Sequence, residues 1–209
     1  MHGESEKSGF CYANQIIEVK LTKNNTIIMG ILDNILGGGP GQGNSTRTVP
    51  IPLLPQNIEQ LMQMPYATLV NEFEVAALTV AVLCNYCQNP QATVEMLNYL
   101  RGPRPLSTLE VQFLRDRLSG KPYKMLSYLN GTSPQNNYTP SMPLGVTIVT
   151  TPTSVTQPDM IRLFIRSSGA DSLRELDLRR KPSTGQWFLW SHVGLMPDVR
   201  IPVNQDPWA

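Results

Sequence analysis

Cys84-Asn-Tyr-Cys87 is a pair of residues whose type and spacing match a known chemistry. Two thiols three positions apart serve as a redox couple or as half of a zinc site. A redox couple works best at a helix N-terminus, where the macrodipole favours a thiolate. These cysteines instead close a long apolar segment, Phe73 to Cys87, which reads as a helix, and there the dipole opposes a thiolate. A closed zinc site needs two more ligands. Only Cys11, His2 and His192 remain, and they form no matching second pair. The two cysteines therefore read as core side chains, and no metal and no cofactor is expected.

His192 is the second chemical candidate. As a general base it needs a carboxylate partner such as Asp171, Asp177 or Asp198. No spacing demands that pairing, and a hydrogen-bonded histidine at a strand end is the simpler reading. His192 and Asp171 stand as the catalytic candidates. Arg162, Arg166, Arg174 and Arg180 are the candidate binding residues, because guanidinium groups brought side by side hold a phosphate or carboxylate. Asp171, Glu175 and Asp177 are interleaved with them, which favours a charged, solvated cross-strand face. Trp187, Trp190 and Trp208 could stack on a base or sugar, though tryptophans serve more often as core or tail anchors. Gly37 to Gly43 lacks the Lys-Ser/Thr of a phosphate loop and has no buried strand before it.

The elements that must position these residues follow from pattern. Residues 1–28 are polar and poor in core material, and read as an N-terminal arm or a non-native extension. Met29 begins a short amphipathic segment, with apolar residues at 31, 32, 35 and 36, and raises the expectation of a native start there. Gly37 to Gly43 follows as a flexible linker, so residues 29–48 are set apart from a single domain over 49–209. Val49 to Pro55 is extended by its prolines. Asn57 to Met64 reads as a short helix. Asn89-Pro90 offers an N-cap and an N1 proline for a helix over 90–101. Ser107 and Glu110 form a capping box that opens the next helix. Residues 130–145 are Asn/Pro/Ser-rich loop.

The final third reads as strands. Val146 to Thr151 is a β-branched run, and Ile161 to Arg166 and Arg174 to Arg180 alternate apolar and polar. Lys181 to Gln186 is a hairpin loop with Gly185 at a left-handed position, and Gln186 to Trp190 returns across it. That last strand is apolar on both faces. The Pro-rich tail, Met196 to Trp208, is expected to cover one of them and to bury Trp208. The fold class expected is α+β, helices 57–128 on an antiparallel sheet from 146–190.

Composition narrows the function classes. Seventeen Lys and Arg face sixteen Asp and Glu, a net charge of +1, which gives no electrostatic reason to expect nucleic acid. Three cysteines do not make a secreted disulfide framework. Met1 to Phe10 is polar, unlike a signal peptide, and the longest apolar run, Val75 to Cys84, is about half of what a membrane helix needs. A cytoplasmic location is expected.

The runs MGILDNILGGG, LNYLRGPRPLS and LFIRSSGAD…LRRKPSTGQWFLW…VRIP…DPWA resemble a bacterial family described as a domain of unknown function, over about residues 29–209. That resemblance implies no activity, cofactor or catalytic residue. Helices followed by a meander ending in a basic turn and Gly-x-Trp are also similar to cone-shaped folds of the nuclear-transport-factor-2 type, where helices and a curved sheet enclose a pocket. The first functional expectation is a non-enzymatic binding or protein-interaction module. The alternatives are a hydrolase or isomerase working in a pocket between helices and sheet, and a membrane-surface protein docking through residues 29–36.

Overall fold

The computed structural model describes residues 44–208. The arm at 1–28, the amphipathic segment at 29–36, the linker at 37–43 and the membrane contact they suggested lie outside the described residues. The described chain is α+β: helices packed on an antiparallel six-stranded sheet.

Strand β1 (Ser45–Pro50) leads into helix α1 (Ile58–Gln63), a 3-10 turn (Pro65–Thr68) and helix α2 (Glu72–Cys84). Helices α3 (Pro90–Arg101), α4 (Thr108–Leu118) and α5 (Pro122–Leu126) follow. Strands β2 (Gly145–Thr150), β3 (Val155–Gln157), β4 (Met160–Ile165), β5 (Arg174–Arg180) and β6 (Trp187–Ser191) complete the sheet. The strand order is β1-β2-β4-β5-β6, with β3 pairing β4 off that path.

Local chemistry sets the helix starts. Asn71 caps α2, its side chain accepting from the backbone N–H groups of Phe73 and Glu74 at 3.0 and 3.2 Å. Asn89 caps α3 by accepting from Ala92, with Pro90 at N1. Ser107 and Glu110 make both halves of the capping box of α4. Helix α2 is buried from Val75 to Cys84 and packs against β1, β2, β5 and β6 as well as α3 and α5. An all-apolar helix is stable only in such a central place. It ends at Cys84, three residues earlier than the sequence suggests, and Asn85 to Gln88 form a turn.

Two expectations are corrected. Ser45–Thr48, assigned to the linker, belong to β1, which runs antiparallel to β2 from Ser45↔Thr150 to Pro50↔Gly145. Its β-branched Thr46, Thr48 and Val49 suit a strand, and Pro50 is tolerated at the end of an edge strand, where no ladder donor is needed. The tail does not cover β6, and Trp208 is 93% exposed rather than buried. Other bonds hold the tail elsewhere. Lys124, only 1% exposed, donates from Nζ to the Met196 carbonyl at 2.8 Å and to Asp198 Oδ1 at 3.0 Å. Tyr128 Oη donates to the Leu195 carbonyl at 2.8 Å, and the Val203 N–H donates to Pro134 at 3.0 Å. These partners lie on α5 and the loop after it, so the tail is drawn away from the last strand.

The Lys124 ammonium beside Asp198 holds that carboxyl below the usual carboxylate range. Lys124→Met removes the donor and leaves the buried Met196 carbonyl without a partner. The expected cost is about 2 kcal/mol, read from the urea midpoint. An unchanged midpoint would show that the tail docks without this anchor.

Candidate functional site

Strand β6 is where the sheet becomes a site. Leu178 pairs with Leu189 and Asp177 with Ser191, so Trp190 is the extra residue of a β-bulge. Bulges re-aim a side chain at a sheet edge. The Trp190 ring is covered by two guanidinium groups, Arg104 at 4.5 Å and Arg179 at 4.9 Å from the ring centroid. Phe188, two residues earlier, lies against Gly102, the residue that ends α3. Helices α2 and α3 pack against the doubly apolar strand, and the two guanidinium groups lie over its Trp190 ring.

These residues line a cleft of about 270 Å³ between the exit of α3 and the β5–β6 hairpin. Arg101, Pro103 and Arg104 form one wall. Arg179, Arg180, Lys181 and Pro182 form the other, with Phe188 and Trp190 as the aromatic surface. No carboxylate is among the lining residues. Arg104, Arg179, Arg180 and Lys181 are exposed and make no ion pair among the described residues. The hairpin is held by the N–H groups of Lys181 and Gly185, which donate to Gln186 and Lys181 at 2.7 and 2.8 Å. Gly185 has φ +71°, the left-handed position read from the sequence.

Arg101 is the buried member, 2% exposed. Its Nε donates to the Arg104 carbonyl at 2.9 Å, and its Nη2 lies 2.9 Å from Glu110 Oε1. That second contact is an ion pair, and it offsets the charge of the buried guanidinium. Glu110 is bound from its other oxygen by the Ser107 N–H and hydroxyl, each at 2.8 Å. His192 is 1% exposed and neither ring nitrogen has a hydrogen-bond partner. Burial, and then the nearby Arg101 charge, push its pKa down to about 4. It is a neutral imidazole at physiological pH.

The residues singled out from sequence are distributed as follows. His192 bonds to none of its three suggested carboxylates. Asp171 pairs with Arg200 at 2.6 Å, Asp177 with Arg162 at 2.7 Å, and Asp198 with Lys124. The base–carboxylate arrangement that catalysis by His192 and Asp171 requires is not assembled. The four candidate arginines do not meet. Arg162 is neutralised across the strand by Asp177 and Glu175, since β4–β5 register sets it opposite Asp177. Arg166 lines a separate hydroxyl-rich cleft with Ser127, Thr132, Ser167 and Ser168. Arg174 donates to the Asp198 carbonyl at 3.0 Å. Only Arg180 reaches the Trp190 cleft. Cys84 is buried, its thiol pushed up to about 12 chiefly by burial, and Cys87 donates to the Leu118 carbonyl at 3.0 Å. Neither thiol is primed as a nucleophile. Among the described residues no three His, Cys, Asp or Glu side chains gather as metal ligands, and no helix is long and apolar enough to cross a membrane.

Sequence reasoning missed Arg101 and Arg104. Arg101 is the last residue of α3 and Arg104 lies three positions beyond it, at a helix end that pattern reading located correctly. Trp190, which Arg104 covers and which lines the cleft with Arg101, is in a hairpin far along the chain, and nothing local joins them.

Residues 53–203 match the model of a family described as a Domain of unknown function (DUF6935). No curated protein and no solved structure matches the chain.

Proposed function

We propose that this chain, which belongs to the DUF6935 family of unknown function, is a non-enzymatic binding module that holds an anionic ligand in the Trp190 cleft. The observation that carries the reading is charge segregation. The chain as a whole balances to +1, yet the cleft is lined by three arginines beside Arg101, and a lysine, with no carboxylate. Like charges held together repel, and an arrangement of this kind is favourable when an anion lies among them. Guanidinium groups also give planar, two-pronged donors suited to phosphate or carboxylate oxygens. The aromatic and proline surfaces beside the cations lower the local dielectric and strengthen those contacts. The proposal keeps the cytoplasmic location read from sequence, a reducing compartment that suits the free thiols Cys84 and Cys87.

Calorimetric titration with pyrophosphate tests the reading. Saturable binding is expected, weakened at least tenfold by the paired substitution Arg179→Gln and Arg180→Gln, both on exposed side chains. An absence of binding, or binding that survives the paired substitution, would overturn it.

A further inference from the structure

We infer that the anion of the Trp190 cleft is joined to a flat heterocyclic ring, and that the ligand class is a nucleoside phosphate. The inference rests on the anion-binding reading above and adds what the anion is attached to. Three features carry it. The cations do not surround a polar pit; they frame an aromatic surface. Arg104 and Arg179 lie over the Trp190 ring, and a guanidinium on a tryptophan turns its outer face to solvent as a stacking platform for a base. Arg101 is a fixed cation at the wall of the cleft, held by its Nε bond to the Arg104 carbonyl and its ion pair with Glu110, beside the exposed cations.

The third feature is a second cleft, of about 420 Å³, that shares Arg179, Arg180, Pro182 and Trp190 with the first. Its remaining lining is of a different kind: Gln157, Pro158, Asp159 and Met160. The Arg180 N–H donates to the Asp159 carbonyl at 2.8 Å, which ties this loop to the hairpin. The carboxylate of Asp159 and the amide oxygen of Gln157 can accept hydrogen bonds, and they line this cleft together with Trp190. A nucleotide has this polarity. Its phosphates lie among Arg104, Arg180 and Lys181, its base stacks at the Trp190–Arg179 rim, and the N–H groups on the base edge meet Asp159 and Gln157. A bare oxyanion would leave the rim and the second cleft unused.

The test is calorimetry of the full chain with pyrophosphate, ADP, GDP and the two nucleosides at fixed ionic strength. ADP and pyrophosphate carry similar charge, so the comparison isolates the nucleoside. At least one nucleoside diphosphate is expected to bind ten times more tightly than pyrophosphate, and the nucleosides at least ten times more weakly than their diphosphates. Trp190→Ala is expected to abolish the advantage of the diphosphate over pyrophosphate, read as the ratio of the two affinities in the same variant. Asp159→Asn, on the loop rather than the sheet core, is expected to reduce the advantage with the fold intact. Equal affinity for pyrophosphate and both diphosphates would overturn the inference and leave the anion reading standing. No binding by any phosphate would overturn both.

Discussion

Replacing Gly102 by alanine is expected to cost about 3 kcal/mol of folding stability, a sum of backbone strain and overpacking. Gly102 ends α3 with φ +60° and ψ −120°, a backbone that residues with a Cβ rarely adopt. Its N–H bonds the Asn98 and Tyr99 carbonyls, both at 3.1 Å, so it cannot relax without releasing the helix end. A Cβ there would stand 2.5 Å from two carbons of the Phe188 ring. That ring belongs to β6 and cannot swing away as a flexible chain end would. The strain falls on the cleft, because Gly102 lies between Arg101 and Pro103 on one wall and Phe188 is part of its aromatic surface. Urea denaturation of Gly102→Ala against the parent measures the effect, and a loss below about 1 kcal/mol would show that the helix exit tolerates a side chain.

Acid is expected to weaken the fold through His192. Its ordinary pKa of 6.5 falls to about 4 in the folded protein, because the ring is buried and faces the Arg101 charge, which Glu110 only partly offsets. As pH drops through 6.5 the unfolded chain takes up a proton that the folded chain refuses. Stability is therefore full above 6.5 and declines until about pH 4, where the folded state also protonates. The integrated loss is on the order of 3 kcal/mol. Asp171 and Asp198, held low by Arg200 and Lys124, lose their contributions only as pH falls below the ordinary carboxylate value of 3.8, outside most of this window. Unfolding free energies at pH 7, 5.5 and 4.5 should decline for the parent and stay nearly level for His192→Leu. Parallel curves for the two proteins would assign the acid sensitivity to other groups.

The contrast between what was legible and what was not has a physical basis. The Asn89 and Ser107 caps, the Gly185 turn and the alternation of β4 and β5 are set within a few residues, and each stands where its pattern placed it. Strand β1 escaped notice because Ser45–Thr48 follows a glycine-rich run and gains strand character only by pairing with β2. Trp208 was misjudged because an aromatic residue in a tail implies burial only if the chain before it turns toward the core. Lys124 and Tyr128 direct that chain elsewhere. Arg162, Arg174 and Arg180 lie on β4 and β5 and Arg166 just past β4, but they do not line one cleft. Cross-strand register gave Arg162 to Asp177, and the length of β5 separates Arg174 from Arg180. The cleft itself needed Trp190 pushed out of alternation by a bulge, an irregularity that a period-2 reading cannot anticipate.

Strand β1 has a consequence for how the chain reaches its native state. Its threonine at 48 meets Thr147 across 99 residues of sequence, a closure that the hairpins of the sheet do not need. Loop-closure entropy delays such pairings relative to local ones. β4, β5 and β6 can zip in sequence while β2 still presents an unpaired ladder to any passing strand. β1 thus acts as the closing piece of assembly: the segment that arrives late, ends in a proline, and converts a sticky boundary into a finished one.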